Sequence, residues 1–310
     1  MGKDWRIPVG RVEYRYLYPL TFFEYLDAMG KQDLLLLLSN IKIGDDSALL
    51  MFAENEYKQY LLLGGMPEVV ADYSINHNFD RCREILTRIH STYIEDISKY
   101  EKSETWRKYL ETVVTEGPRA AGSIFNYENF AGSSYKSREM SEALRKVEKT
   151  MLCKQLPVIN STILPVTYKQ KRSKKLIWLD VGIVNLINNI YPELLTGVYG
   201  GKLMEQIVGQ TLLAIMSNNL IKLAYFAKDR DMGSAEVDFC FPWKQYLVGI
   251  EVKSGDNLNS KSLTSMIKDG EGRVVPIKVS WGKLEVKNGI INVPFYLLER
   301  WEYFVSNQLK

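Results

Sequence analysis

Histidine and cysteine are scarce in this sequence, which has two histidines and three cysteines among 310 residues. Cys82, Cys153 and Cys240 lie far apart, and His77 and His90 are not spaced like ligands of one ion. These counts argue against a disulfide framework, a Cys/His zinc site and a histidine-based catalytic triad. Both histidines are therefore expected to be surface or structural residues, and any metal would be bound mainly by carboxylates.

Long apolar runs and a strong net charge are missing as well. The longest aliphatic run, residues 34–38, is far shorter than the roughly 20 residues that cross a membrane, and residues 1–15 lack the apolar core of a signal peptide. We therefore expect a cytoplasmic protein with no membrane partner. The 40 Lys and Arg residues against 37 Asp and Glu residues give a net charge of +3, which does not by itself indicate nucleic-acid binding.

The composition is that of a folded protein with a substantial core, because 46% of the residues are hydrophobic and 25% are charged. At about 150 residues per domain, the length predicts two domains or one large domain with an appendage. Residues 11–17 alternate like a strand, and Pro19 with Thr21 then opens a helix through Leu26. Helical patterns without a catalytic motif continue from there, so residues 1–100 are predicted to be a helical region.

Residues 101–170 are predicted to form a winged-helix-like domain. Helical patterns cover residues 106–114, a short stretch around residues 124–130 and residues 137–151, and β-rich sequence follows from Val158. The third of these helices is amphipathic. Its apolar face carries Met140, Leu144, Val147 and Met151, and its opposite face carries Arg138, Glu142, Arg145 and Lys149.

The third helix of a winged helix is the one that would enter a DNA groove, here with Arg138, Arg145 and Lys149 as contacts. A simpler interpretation is a solvated helix face on which Glu142 pairs with Arg145 and Lys146. The sequence leaves both interpretations open.

A basic run follows at residues 168–175, with five positive charges and no acid. Lys171 and Arg172 in this run are candidates for phosphate contacts, although such a run is usually a surface loop. From residue 171 to residue 310 the pattern becomes mixed α/β. It predicts a helix over residues 201–216 and strands at residues 176–179, 223–227, 236–241, 246–253 and 274–279. The predicted fold class of the whole chain is mixed α+β.

The residues with chemical potential lie on two neighbouring strands of this region. Alternation places Glu236 and Asp238 on one face of the first strand, and Glu251 and Lys253 on one face of the second. A two-residue loop within residues 242–245 would put Asp238 opposite Glu251, and a four-residue loop would put Glu236 there. The two registers differ by two residues, so in both of them the same side chains lie on the same face of the hairpin. Two carboxylates and a lysine are therefore predicted to converge on one patch.

Such a patch suits metal-dependent chemistry. Mg²⁺ or Mn²⁺ held by Asp238 and Glu251 would relieve their repulsion, polarise a phosphoryl oxygen and activate a water that Lys253 orients. Glu205, on the flank of the apolar stripe of helix 201–216, is a third candidate carboxylate. Phosphodiester hydrolysis fits this set. The alternatives are an exposed cross-strand salt bridge and, for Glu205, a surface acid at the edge of the core.

Two resemblances rest on these residues. Glu236-Val237-Asp238, followed by Ile250-Glu251-Val252-Lys253-Ser254 and preceded by a helix with Glu205, resembles the core of PD-(D/E)xK nucleases. More broadly, the chain resembles the C-terminal part of a prokaryotic family of AAA-type ATPases with an uncharacterised nuclease-like tail. The stretches that carry this second resemblance are residues 17–26, 64–68, 179–182 and 201–205.

The resemblance implies a restriction-endonuclease-like α/β domain over residues 171–310. It implies that Asp238 and Glu251 are metal ligands, that Lys253 is the catalytic lysine and that Glu205 is the helix-borne acid. The expected function is DNA binding with metal-dependent phosphodiester hydrolysis. The alternative is a non-catalytic module that binds DNA, a protein partner or a second copy of itself and regulates an ATPase.

The ATPase part of that family needs a phosphate-binding loop, G-x-x-x-x-G-K-[ST]. Residues 117–122 have the glycine spacing, but Ser123 and Ile124 replace the lysine and the hydroxyl residue. We therefore expect no nucleotide-binding site and no ATP hydrolysis by this chain. Residues 11–17 would correspond to the last strand of an ATPase domain, with the chain as a fragment of the longer protein.

Overall fold

The computed structural model describes residues 13, 15–45, 48–191, 197–217, 221–229, 235–255 and 260–309. In chain order its helices are α1 (Phe22–Ala28), α2 (Gln32–Asn40), α3 (Leu50–Leu63), α4 (Pro67–Asn76), α5 (Phe79–Tyr100), α6 (Glu104–Glu116), α7 (Ser137–Lys149), α8 (Val181–Ile187), α9 (Gly197–Ile215), α10 (Lys261–Asp269) and α11 (Trp301–Gln308). Its strands are β1 (Ile124–Phe125), β2 (Cys153–Leu156), β3 (Val158–Ile159), β4 (Lys174–Trp178), β5 (Ala224–Ala227), β6 (Glu236–Trp243), β7 (Tyr246–Lys253), β8 (Val274–Ser280), β9 (Glu285–Lys287) and β10 (Ile290–Pro294). The chain is a mixed α+β protein, as the sequence predicts.

The N-terminal helical region begins at the predicted place. The side chain of Thr21 accepts a hydrogen bond from the amide of Glu24, and the Glu24 side chain accepts one from the amide of Thr21, so that a capping box starts α1. Phe22 then packs edge-on against Tyr57 of α3. The strand predicted at residues 11–17 lies partly outside the described residues, and residues 15–17 are not in a strand.

A three-stranded antiparallel sheet, in the order β1-β4-β2, packs beside helices α6 and α7. The predicted helix around residues 124–130 is wrong, because β1 takes its place and pairs with Lys174 and Lys175 of β4. A short turn, Phe130–Gly132, follows β1, and Ala131 within it has a left-handed backbone conformation. The predicted boundary at residue 170 assigned β4 to the C-terminal region, yet the hydrogen bonds of β4 join it to β1 and β2.

The C-terminal region contains a seven-stranded mixed sheet in the order β3-β5-β6-β7-β8-β10-β9. Helix α9 packs on one face, and α10 covers β6, β7 and β8 on the other. The predicted strands and the predicted helix over residues 201–216 are present. The hairpin of β6 and β7 has the shorter of the two predicted loops, since Trp243 pairs with Tyr246.

A β-bulge interrupts the alternation of β6. Strand β5 runs from Phe226 to Ala224 while its partner β6 runs from Val237 to Cys240, so β6 carries one extra residue. As a result, Val237 and Cys240 pack into the same apolar cluster below α10. The strict period-two facing predicted for residues 236–241 is therefore wrong across the bulge, which lies at positions 238–239.

A buried junction around Asp180 joins the helical region to the rest of the protein. Asp180 is fully buried and accepts hydrogen bonds from the amides of Gly65, at 2.7 Å, and Gly182, at 2.8 Å. The amide of Leu20 donates to the carbonyl of Gly65, and the hydroxyl of Tyr60 donates to the carbonyl of Leu20. Three of the stretches that carry the family resemblance thus meet at one point, where their role is structural.

Candidate functional site

A cluster of charged side chains surrounds the buried Lys175, with two partly buried acids, Glu205 and Asp238, as its partners. This lysine lies in β4 and is 1% exposed. Its Nζ atom is 2.7 Å from Oε2 of Glu205 in α9 and 3.2 Å from Oδ1 of Asp238 in β6. One ammonium group therefore bridges two carboxylates that the sequence had marked as candidate metal ligands or catalytic acids.

Local structure brings these three side chains together. Strand β4 pairs with β1 and β2 but sends Lys175 toward the seven-stranded sheet, and the bulge in β6 turns Asp238 toward α9. The second oxygen of Asp238, Oδ2, accepts a hydrogen bond of 2.8 Å from the amide of Val252 in β7. Both oxygens of Asp238 are thus occupied by the protein itself.

The electrostatics of the cluster favour a charged lysine. Burial alone would lower the pKa of Lys175, but the nearby carboxylates of Asp238 and Glu205 outweigh it and raise that pKa above its ordinary value. Burial raises the pKa of Glu205, the neighbouring charge of Asp238 adds to the rise, and Lys175 opposes it. The Nζ atom also lies 5.1 Å from the ring centroid of Phe239, where the aromatic face favours a cation.

The other two predicted residues form a separate pair. Glu251 is 5% exposed, and its Oε1 atom is 2.7 Å from Nζ of Lys253. A side chain built on Gly249 would meet Met266 of α10, so the pleat of β7 also places Glu251 and Lys253 on the α10 face. Asp238 and Glu205, in contrast, meet on the α9 side of the sheet.

The structure therefore divides the predicted set into two groups. One holds Asp238 and Glu205 together with Lys175, and the other holds Glu251 with Lys253. No three Asp, Glu, His or Cys side chains of the described residues are grouped so that they could hold a metal ion. The ammonium group of Lys175 already lies between Asp238 and Glu205, where a metal ion would have to bind, so these residues as arranged do not fit the Mg²⁺ or Mn²⁺ site that the nuclease resemblance implies.

Sequence reasoning missed the role of Lys175. It treated this residue as part of a basic surface run, whereas Lys175 is the only member of that run with a fully buried side chain. The usable signal was its position beside the apolar residues of β4, together with the rule that buried acids need a partner. His90 is buried and its Nε2 atom lies 3.1 Å from the carbonyl of Val114, which fits the structural role expected of it.

Most of the residues predicted to bind nucleic acid are exposed, unlike the charged residues described above. Arg138, Arg145 and Lys149 are exposed along α7, and no described carboxylate lies within 4 Å of their charged groups. Lys171 is also exposed. Arg172 is engaged elsewhere, since its Nη1 atom is 3.0 Å from Oδ1 of Asp229 and also donates to the carbonyl of Ala227.

The ion pairs of Glu142 with Arg145 and Lys146 that the alternative interpretation predicts are not among those of the described residues. Lys146 does form an ion pair, but its partner is Glu101, at 3.3 Å, and its Nζ atom lies 4.0 Å from the ring centroid of Trp106. Glu148 pairs with Lys154 of β2 at 3.0 Å. These contacts leave the three exposed cations of α7 facing solvent, next to further lysines on the adjoining strands.

Comparison with known families gives two matches. Residues 54–193 match a family model described as "Domain of unknown function (DUF8612)", and residues 200–293 match one described as "Domain of unknown function (DUF4143)". Lys175 lies in the first matched region, and Glu205 and Asp238 lie in the second, so the buried cluster joins the two. No curated protein and no solved structure matches the chain.

None of the helices in the described ranges combines the length and apolarity that crossing a bilayer requires.

Proposed function

We propose that this chain is a DNA-binding module that does not cleave DNA, and that α7 and the three-stranded sheet form its binding surface. The observation that carries the proposal is the contrast in charge pairing. Arg138, Arg145 and Lys149 are exposed without acidic partners in the described residues. The acids of the nuclease-like motif, in contrast, have lysine partners: Glu205 and Asp238 pair with Lys175, and Glu251 pairs with Lys253. Unpaired cations on one helix face are what phosphate groups bind.

The order of elements supports this surface. Helix α6, strand β1, the turn Phe130–Gly132, helix α7 and strands β2 and β4 come in this order, and the three strands form a sheet in the order β1-β4-β2. Strand β3, between β2 and β4 in the chain, belongs to the seven-stranded sheet. This arrangement resembles a winged helix in which the middle helix is reduced to the turn Phe130–Gly132. In that geometry α7 is the helix that would lie in the major groove.

A groove beside α7 adds to the support. Three cations line it, Arg138 and Arg145 of α7 and Lys174 of β4, together with Tyr127 and two acids of α7, Glu142 and Glu148. Cations from a helix and a strand therefore face one shallow surface, so that several phosphates of one backbone can be contacted together. Such contacts supply affinity and orientation without reading sequence.

Phosphodiester hydrolysis is the less supported candidate. It needs Asp238, Glu251 and Lys253 around one metal ion and one attacking water. Asp238 instead bonds to Lys175 and to the amide of Val252, and Glu251 lies on the other side of the sheet. The resemblance to ATPase-associated proteins supports a regulatory role, in which DNA binding by this module is linked to an ATPase domain or to another protein partner.

The test is a binding titration with a fluorescent DNA duplex at several salt concentrations. We expect the double variant Arg138→Glu/Arg145→Glu to bind at least about tenfold more weakly and to lower the salt slope by about 2, since two phosphate contacts are lost. The control is Lys261→Glu/Lys268→Glu, which changes the net charge equally on exposed α10. Equal weakening by both variants would show that only net charge matters and would remove α7 from the proposal.

A nuclease assay in the same series tests the absence of cleavage. Supercoiled plasmid with Mn²⁺ is incubated with the wild-type protein, Glu251→Ala and Lys253→Ala. We expect no cutting by any of the three. If the wild-type protein cuts the plasmid and each of the two substitutions abolishes the cutting, the chain is a nuclease.

A further inference from the structure

A pocket opens beside the C-terminal end of α7, on the surface that the proposed function assigns to DNA. Its volume is 530 Å³, within the range of small-ligand sites. It is bounded by the end of α7, by β2 and β4, by the end of α9 and by Tyr16 and Tyr18 from the segment before α1. Its apolar lining includes Met151, Leu156, Ile177, Leu213, Met216 and Leu223.

The rim of the pocket is strongly cationic. Four basic side chains line it, Arg145, Lys149, Lys154 and Lys222, and the one acid there, Glu148, pairs with Lys154. Partial burial lowers the pKa of Lys222, and repulsion from Lys154 and Lys174 adds to this, so positive charge is crowded here. An anion bound at the rim would relieve that repulsion.

We propose that this pocket holds an unpaired base of a DNA strand whose phosphates lie on the cationic rim. The proposal rests on the proposed function and extends it from duplex contact to unpaired nucleotides. The aromatic rings of Tyr16 and Tyr18 and the apolar lining suit the flat face of a base. The four cations come from α7, β2 and the segment before β5, a spread that suits several successive phosphates better than one small anion.

Continuity with the α7 groove supports the same occupant. Arg145 and Glu148 line both the pocket and the groove, so a strand that crosses α7 reaches the pocket without leaving the cationic surface. Tyr16 is 51% exposed, which leaves its ring accessible to a base. The pocket can therefore take a nucleotide that has left its stack, while its neighbours stay on the groove.

The test measures binding of an oligothymidine of about twelve nucleotides and of a duplex to the same variants. Ser217→Trp fills the pocket from its edge, and Tyr16→Ala removes a stacking surface. We expect each to weaken binding of the single strand by about tenfold and to change duplex binding by less than about twofold. The matched control, Thr264→Trp, adds the same side chain on exposed α10 and should change neither.

A photocrosslink identifies the contact directly. An oligonucleotide with one 5-iodouracil is irradiated with the wild-type protein, and we expect mass spectrometry to find the crosslink on Tyr16 or Tyr18. Unchanged single-strand affinity in Ser217→Trp, or crosslinks confined to other residues, would overturn the pocket. If Arg138→Glu/Arg145→Glu still weakens duplex binding in that case, the proposed function stands without the pocket. If neither the pocket substitutions nor Arg138→Glu/Arg145→Glu weakens DNA binding, both the pocket and the proposed function are refuted.

Discussion

Charged side chains have partners in the interior of this protein but lack them on the exposed face of α7. Inside, Lys175 is held between two carboxylates, and Asp180 is held by backbone amides. On α7, Arg145 and Lys149 have no described acid within 4 Å. Lys175 and Asp180 have partners within the fold, while the exposed cations of α7 remain available to a ligand. Asp238 and Glu205, which belong to the nuclease-like motif, are thus among the paired charges.

Replacing Lys175 tests the interior half of this comparison and should have the largest effect. We expect Lys175→Ala to lower the free energy of unfolding by about 3–5 kcal/mol, because Glu205 and Asp238 would face each other without a counter-charge. Urea denaturation measures the change. Lys174→Ala, at the neighbouring and partly exposed position, should change stability by only about 0.5 kcal/mol.

A rescue variant sharpens the same prediction. In Lys175→Met/Glu205→Gln/Asp238→Asn the charges of the cluster are removed together, and most of the lost stability should return. A Lys175→Ala variant no less stable than Lys174→Ala would show that the ion pairs are not structural and would break the comparison.

The pH dependence of stability tests whether a buried acid destabilises the folded protein when it is charged. Burial raises the pKa of Glu299 to about 7, although its Oε1 atom accepts a hydrogen bond from the amide of Phe23. The folded protein therefore binds this proton more tightly than the unfolded chain. The stability it contributes is complete below the unfolded pKa, near 4.5, and is lost as the pH rises through about 7.

We expect Glu299→Gln to reduce the loss of stability between pH 5.5 and pH 8.0 by about 2 kcal/mol. Denaturant titrations at the two pH values measure the difference. Glu285→Gln, which changes an exposed acid in β9, is the control and should leave the wild-type pH dependence in place. An unchanged pH profile in Glu299→Gln would mean that this acid is charged and well solvated in the fold.

The third prediction concerns the packing of the junction around Asp180. A side chain on Gly65 would collide with the carbonyl of Leu20, so Gly65→Ala should cost about 1–3 kcal/mol. Gly255→Ala is the matched control, because no atom lies within 4 Å of the side chain it would add. The urea unfolding midpoints of the two variants, compared at constant m-value, measure both changes in stability. Equal midpoints would show that the junction accommodates the methyl group and is looser than its hydrogen bonds indicate.

Regular patterns made much of the fold predictable. The capped start of α1, the amphipathic helix α7 and the strands of the C-terminal sheet follow from side-chain periodicity and from Thr21 as an N-cap. The short loop between β6 and β7 was one of two predicted registers. The helix predicted around residues 124–130 failed because two residues are too few to show a strand period, and their pairing with β4 depends on sequence about 50 residues away.

The candidate site was less predictable, because its geometry depends on a bulge and on a distant strand. Asp238 and Glu251 were correctly expected on paired strands, but one extra residue in β6 turns Asp238 to the α9 side. Lys175 is more than 60 residues from Asp238 in the chain, so nothing in the local sequence links them. Arg138 and Arg145 were easier to place, since a helical period alone puts them on the exposed face.

Strand β4 has a mechanical consequence for the molecule. Its backbone belongs to the three-stranded sheet, while its Lys175 side chain is anchored to α9 and β6. Neither sheet can move away from the other unless two ion pairs break in a buried setting. The two regions should therefore unfold together as one cooperative unit, with β4 as the strand that links their hydrogen-exchange protection.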